Sequence, residues 1–90
     1  MPIFRQDYHL LYHKVGGLDV VFEISDEDLT SDPTYFGFLC QGGGWIIQQR
    51  STGGAAVGQY RYATGTTQTS YTSSWTGRVG LSYVYYNEIG

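Results

Sequence analysis

Between positions 18 and 24 apolar and polar side chains alternate, with Leu18, Val20, Phe22 and Ile24 on one face and Asp19, Val21 and Glu23 on the other. That period predicts a strand buried on its first face. The aromatic-rich run from Tyr8 to His13 precedes it, and Gly16-Gly17 between the two predicts a hairpin over 8–24. Further on, Tyr35 to Gln41 and Trp45 to Arg50 flank Gly42-Gly43-Gly44, whose glycines supply the positive φ angles of a tight reversal. A looser turn over 51–58 leads into Gln59 to Ala63, so 35–63 reads as a three-stranded meander. The last run, 79–86, sets Leu81, Tyr83 and Tyr85 against Ser82, Val84 and Tyr86 and predicts a final strand.

Two segments interrupt this alternation. Ser25-Asp26-Glu27-Asp28 has the order of a capping box, with Ser25 as cap and Asp28 returning the bond, and predicts a brief helical turn that ends at Asp32-Pro33. Residues 64–78 are small and polar, with Thr66, Thr67, Gln68, Thr69 and Ser70 in a row, and read as a loop. No amphipathic helix of normal length can be placed. The expectation is one all-β domain over 1–90, a small antiparallel sheet or β-sandwich of about six strands with short turns and one brief helical turn. Its predicted core is Trp45, Ile47, Tyr60, Tyr62, Trp75 and Leu81.

Composition changes the picture in one direction. A chain of 90 residues buries only a modest core, and Cys40 as the only cysteine leaves no internal disulfide to reinforce it. Charged residues make up 14% of the chain, against about 25% in an average globular protein, and nine tyrosines with many Gly, Thr, Ser and Gln take their place. More tyrosine than such a core needs, on so neutral a skin, points to surfaces covered by neighbouring subunits. The net charge is −3, and Arg5, Lys14, Arg50, Arg61 and Arg78 are scattered, so nucleic acid is not an expected partner. No apolar run approaches the roughly 18 residues that span a bilayer, and no basic-then-apolar leader is present. The expectation is a soluble chain without membrane contact, made in a cytoplasm.

The residues that carry chemistry elsewhere lack their settings here. His9 and His13 lie four apart, which on a strand separates them by roughly 13 Å, too far to share a metal ion. Asp26, Glu27, Asp28 and Asp32 lack the order of a calcium loop and read as a solvated acidic turn. Cys40 stands between Leu39 and Gln41 without a basic neighbour and reads as a buried structural thiol. The serines and threonines of 64–76 have no adjacent base, and Gly42-Gly43-Gly44 runs into a strand where a phosphate cradle needs a helix N-terminus. No catalytic residue, metal or cofactor is predicted, and the chain is not expected to be an enzyme. Arg78, three residues after Trp75, is suited to lie over an aromatic ring or to pair with a carboxylate.

Tyr35-Phe36-Gly37-Phe38-Leu39, Gly44-Trp45-Ile46-Ile47, Tyr60-Arg61-Tyr62-Ala63-Thr64-Gly65, Trp75-Thr76-Gly77-Arg78 and Leu81-Ser82-Tyr83-Val84-Tyr85-Tyr86 form a pattern of aromatic and glycine positions. In this the chain resembles small β-rich virion-associated proteins of tailed bacteriophages. The resemblance implies a structural protein of the virion exterior, a tail fibre or baseplate component or a head decoration protein. Its expected partners are other virion proteins and further copies of itself. The alternative is a carbohydrate- or receptor-binding module that stacks exposed aromatic rings on a host-surface glycan. For either, Tyr83, Tyr85, Tyr86, Asn87 and Arg78 form the predicted assembly or ligand surface.

Overall fold

A computed structural model of the chain describes residues 10–15, 17–52, 58–65 and 68–88. Tyr8 and His9 of the predicted first strand, and most of the turn at 51–58, fall outside these residues. Five strands form one antiparallel sheet in chain order: β1 (Leu10–Val15), β2 (Leu18–Asp28), β3 (Thr34–Leu39), β4 (Trp45–Ser51) and β5 (Gln59–Gly65). One helix, α1 (Gln68–Thr76), and two 3-10 turns, Arg78–Gly80 and Tyr86–Glu88, follow. The all-β antiparallel expectation holds.

Local chemistry explains the reversals. Val15 pairs with Leu18 across a two-residue connection in which Gly17 has φ 84°. The glycine triplet turns β3 into β4 through Gly43 at φ 106°, with Cys40 and Gly44 joined by a backbone bond of 2.9 Å. Ahead of β3, the Asp32-Pro33 peptide is cis, and the Asp32 carboxylate accepts from the backbone N–H of Thr52 at 3.0 Å. This bond ties the β2–β3 connection to the end of β4.

The sheet curls. Tyr86 places its ring 5.3 Å from His13 of β1 and 5.5 Å from Tyr62 of β5, whereas a flat five-stranded sheet holds its outer strands roughly 19 Å apart. The concave face buries Phe22, Phe38, Ile46 and Tyr62, with Leu11, Val20, Ile24, Phe36 and Val84 packed beside them. The convex face carries Tyr35, Trp45 and Ile47 under Tyr71 of α1, with Leu39, Ala63, Trp75, Leu81 and Tyr83 around them. Both faces are therefore apolar, which is why β4 begins with three consecutive buried residues, Trp45, Ile46 and Ile47.

Four expectations need correction. Ser25 to Asp28 is no helical turn, because β2 continues through Asp28; the pairing instead slips between Ile24 and Asp26, with the register passing from Ile24–Phe38 to Asp26–Gly37. The polar segment 64–78 holds α1, whose only large side chains, Tyr71 and Trp75, stand four apart and stack at 6.3 Å. Hydroxyl-rich sequence gives little helix propensity, so α1 depends on that docked pair. The final strand over 79–86 shrinks to one bridge, Tyr62 to Val84, because the chain crosses from the convex to the concave side at the edge of β5. Tyr60 is not core: near the start of the edge strand β5 it is 47% exposed.

Candidate functional site

The bulge at Ser25 decides where the acidic residues point. One extra residue in β2 turns Asp26 and Asp28 onto the convex face, opposite Gly37 and Tyr35, beside α1 and the segment after it. There the Tyr71 hydroxyl donates to Asp26 at 2.6 Å, and burial together with this acceptor pushes the Tyr71 phenol well above its ordinary pKa. Trp45 donates its indole N–H to Ser70 Oγ at 2.8 Å from below. The helix is thus clamped to the sheet by two polar contacts around an aromatic stack.

Arg78 is the centre of a second clamp, and both sequence alternatives for it are realised. Its Nε and Nη2 donate to Asp28 Oδ2 at 3.2 and 2.8 Å, its Nη1 donates to the Trp75 carbonyl at 2.7 Å, and its guanidinium lies 4.5 Å from the Trp75 ring centre. The Tyr83 hydroxyl in turn donates to the Arg78 carbonyl at 2.7 Å, and burial raises the Tyr83 phenol pKa. The Thr30 hydroxyl and then Arg78 hold the Asp28 carboxyl at about 2, below its ordinary 3.8. A depressed carboxyl stabilises the fold fully above about pH 4 and loses that contribution as pH falls through about 2. Replacing Arg78 by Ala is expected to lower the urea midpoint at pH 7, with the deficit shrinking towards pH 2. In an NMR titration the Asp28 carboxyl of Arg78→Ala should rise but stay below 3.8, because Thr30 keeps its bonds; an unchanged titration would contradict the clamp.

Beyond the clamp the chain rounds the edge of β5 and forms a strap. Val84 exchanges two backbone bonds with Tyr62, at 2.8 and 2.9 Å. Tyr85 is 56% exposed and carries the Arg61 guanidinium 4.2 Å from its ring centre, with Arg61 Nη2 donating to its hydroxyl at 3.2 Å. The Tyr85 backbone N–H donates to Glu88 Oε1 at 3.2 Å. Tyr86 reaches across to β1, where its hydroxyl bonds His13 Nδ1 at 2.9 Å and donates to the Tyr12 carbonyl at 3.3 Å. The strap therefore joins β1 and β5, the two outer strands of the curled sheet.

The predicted surface residues divide accordingly. Tyr85, Tyr86 and Asn87 lie exposed on the strap, whereas Tyr83 and Arg78 are partly buried in the convex clamp. Of the predicted core, Trp45, Ile47 and Tyr62 are buried, and Trp75 and Leu81 are half-buried against the convex cluster. Arg61 was absent from the predicted surface; its signal in the sequence is the alternation of β5, which turns it away from its neighbour Tyr62. His13 belongs to β1, and His9, four residues before it, lies outside the described residues. Among the described residues no three His, Cys, Asp or Glu side chains converge as a metal site. Asp26, Asp28 and Asp32, read from the sequence as a solvated acidic turn, instead accept internal hydrogen bonds. Cys40 is half-buried and lines a shallow cleft of about 370 Å³ with Val21, Glu23, Ser25 and Leu39.

Comparison with protein-family models, with curated proteins and with solved structures gives no match.

Proposed function

We propose that this chain is a non-enzymatic structural protein of a bacteriophage virion exterior, which assembles through contacts with other virion proteins and with its own copies. The observation that carries the assembly reading is the strap, where the exposed Tyr85 ring is already fixed by Arg61 and the Tyr85 N–H by Glu88. Aromatic and arginine side chains dominate the energetics of protein interfaces, and a ring held in place before binding loses little freedom on contact. The virion context comes from the aromatic and glycine pattern of the sequence, and the low charge of the chain suits a surface covered by neighbours.

Truncating Tyr85 to Ala is expected to weaken association by about thirtyfold, the scale of an interface hot spot, and to leave the thermal midpoint almost unchanged because the ring is exposed. Sedimentation of the purified chain, and its binding to purified virions, would measure this. Detection of the chain in those particles supports the context; a monomer at high concentration that binds no virion protein counts against the reading. The same exposed ring, with Asn87 two residues on, also suits a sugar face. Glycan-array binding that Tyr85→Ala abolishes would shift the assignment to receptor recognition.

A further inference from the structure

Between Tyr83 and Val84 the chain changes what holds it. Upstream, Leu81 and Tyr83 are packed in the convex cluster, and the Tyr83 hydroxyl donates to the carbonyl of Arg78, which is itself paired with Asp28. Downstream, Val84 packs beside the concave cluster, and Tyr85, Tyr86, Asn87 and Glu88 are exposed. This last piece is closed on itself: the Tyr85 N–H donates to Glu88 Oε1 at 3.2 Å and the Glu88 N–H to the Tyr85 carbonyl at 2.9 Å. Its hydrogen bonds and ring contacts with the sheet fall on β5, through Val84, Tyr85 and Tyr86, and on β1, through Tyr86. β1 and β5 are not hydrogen-bonded to each other.

We infer that residues 84–88 form a latch, which swings open on a hinge between Tyr83 and Val84 while both core layers and the Arg78 clamp stay in place. Opening uncouples β1 from β5 and takes Val84 and Tyr86 from beside Tyr62 and the concave cluster. The cost is local. Two backbone bonds and the contacts of two exposed tyrosines are broken, and the groups released belong to the strap and to outer strands, where water replaces the lost partner. Global unfolding must in addition open Ile46 and Ile47, each at 0% exposure, in two separate layers. The latch therefore opens far more often than the fold is lost. Tyr83 fixes the hinge, because its half-buried ring and its bond to Arg78 stay with the convex layer. The device belongs to a single chain and does not rest on the assembly reading.

Native-state hydrogen exchange of the full chain, followed by NMR at low urea, tests this. The Tyr62 and Val84 amides donate to each other's carbonyls at 2.8 and 2.9 Å, so each exchanges when the latch opens. They are expected to exchange at least about tenfold faster than the slowest amides of β3 and β4, at a rate nearly independent of urea, whereas the slow amides speed up steeply with it. Ile47→Val removes one carbon from the convex layer in the closed and open forms alike. It should speed the slow amides about threefold to tenfold and leave Tyr62 and Val84 unchanged. Tyr86→Phe removes the hydroxyl that reaches β1 and should speed both latch amides about threefold, because the β1 contact and the Val84 bridge open together. Tyr62 and Val84 amides that share the urea dependence of β3 and β4, or that respond to Ile47→Val as those strands do, overturn the latch. So does a Tyr86→Phe variant with both amides unchanged, since the contacts with β1 and β5 would then open separately.

Discussion

Gly37→Ala is expected to destabilise the fold by about 3 kcal/mol, at the upper end of overpacking penalties. Gly37 lies mid-strand in β3 between Asp26 and Ile47 and faces the convex side. A Cβ there would coincide with the Tyr71 hydroxyl and come within 3.0 Å of Tyr71 Cζ and 3.1 Å of Trp75 Cε3. Neither side can yield cheaply. The strand is paired on both edges, and the Tyr71 hydroxyl is held by Asp26 at 2.6 Å. The helix must lift, which breaks that bond and opens the aromatic stack that docks α1. Urea unfolding measures the loss, and weakened near-ultraviolet circular dichroism should report the displaced rings. Gly80→Ala is the control: nothing lies within 4 Å of its added methyl, and its effect should stay within about 0.5 kcal/mol. Tyr71→Phe removes the atom in the way, so the double variant should lose less stability than the two single losses combined. A Gly37→Ala protein as stable as the parent would show that α1 is not seated through this contact.

The same contact explains why part of the fold was legible in the sequence and part was not. Strand periodicity was readable wherever one strand served one pair of faces, as from Leu18 to Ile24 and through the glycine triplet into β4. It misled where the chain changes sides. Leu81 and Tyr83 pack on the convex layer, while Val84 and Tyr86 contact the concave one, so an alternation that reads as a strand belongs to a crossover at a sheet edge. The helix was hidden because its apolar contacts with the sheet come from two aromatic side chains, Tyr71 and Trp75, among hydroxyls and a glutamine that give no amphipathic period. The bulge was hidden because Ser25 to Asp28 satisfies a helix-capping pattern locally, and only pairing with β3 turns both aspartates toward Tyr71 and Arg78. Of the candidate surface, the tyrosines of the strap could be named from composition. That Arg61 would fix one of them, and that Tyr86 would bridge β1 and β5, depends on the curl of the sheet.

Ile46→Ala and Ile47→Ala are each expected to cost about 3–4 kcal/mol, though the two residues are neighbours in the chain. Both are fully buried, at 0% exposure, but in different layers: Ile46 packs in the concave cluster with Phe22 and Phe38, Ile47 in the convex cluster with Tyr35 and Tyr71. The cavities therefore open on opposite sides of β4, and surrounding side chains cannot relax from one into the other. Their losses should add to about 7 kcal/mol, which approaches the whole stability of a chain of this size, about 5–13 kcal/mol. The single variants should unfold cooperatively at lower urea, and the double variant should be largely unfolded at 37 °C. Circular dichroism should separate the layers, since Ile47→Ala loosens the support of Trp45 and Tyr71 and reduces their near-ultraviolet signal more than Ile46→Ala does. If either truncation cost less than about 1 kcal/mol, that face of the sheet would not be a close-packed layer, and the curl that brings β1 within reach of the strap would need another cause.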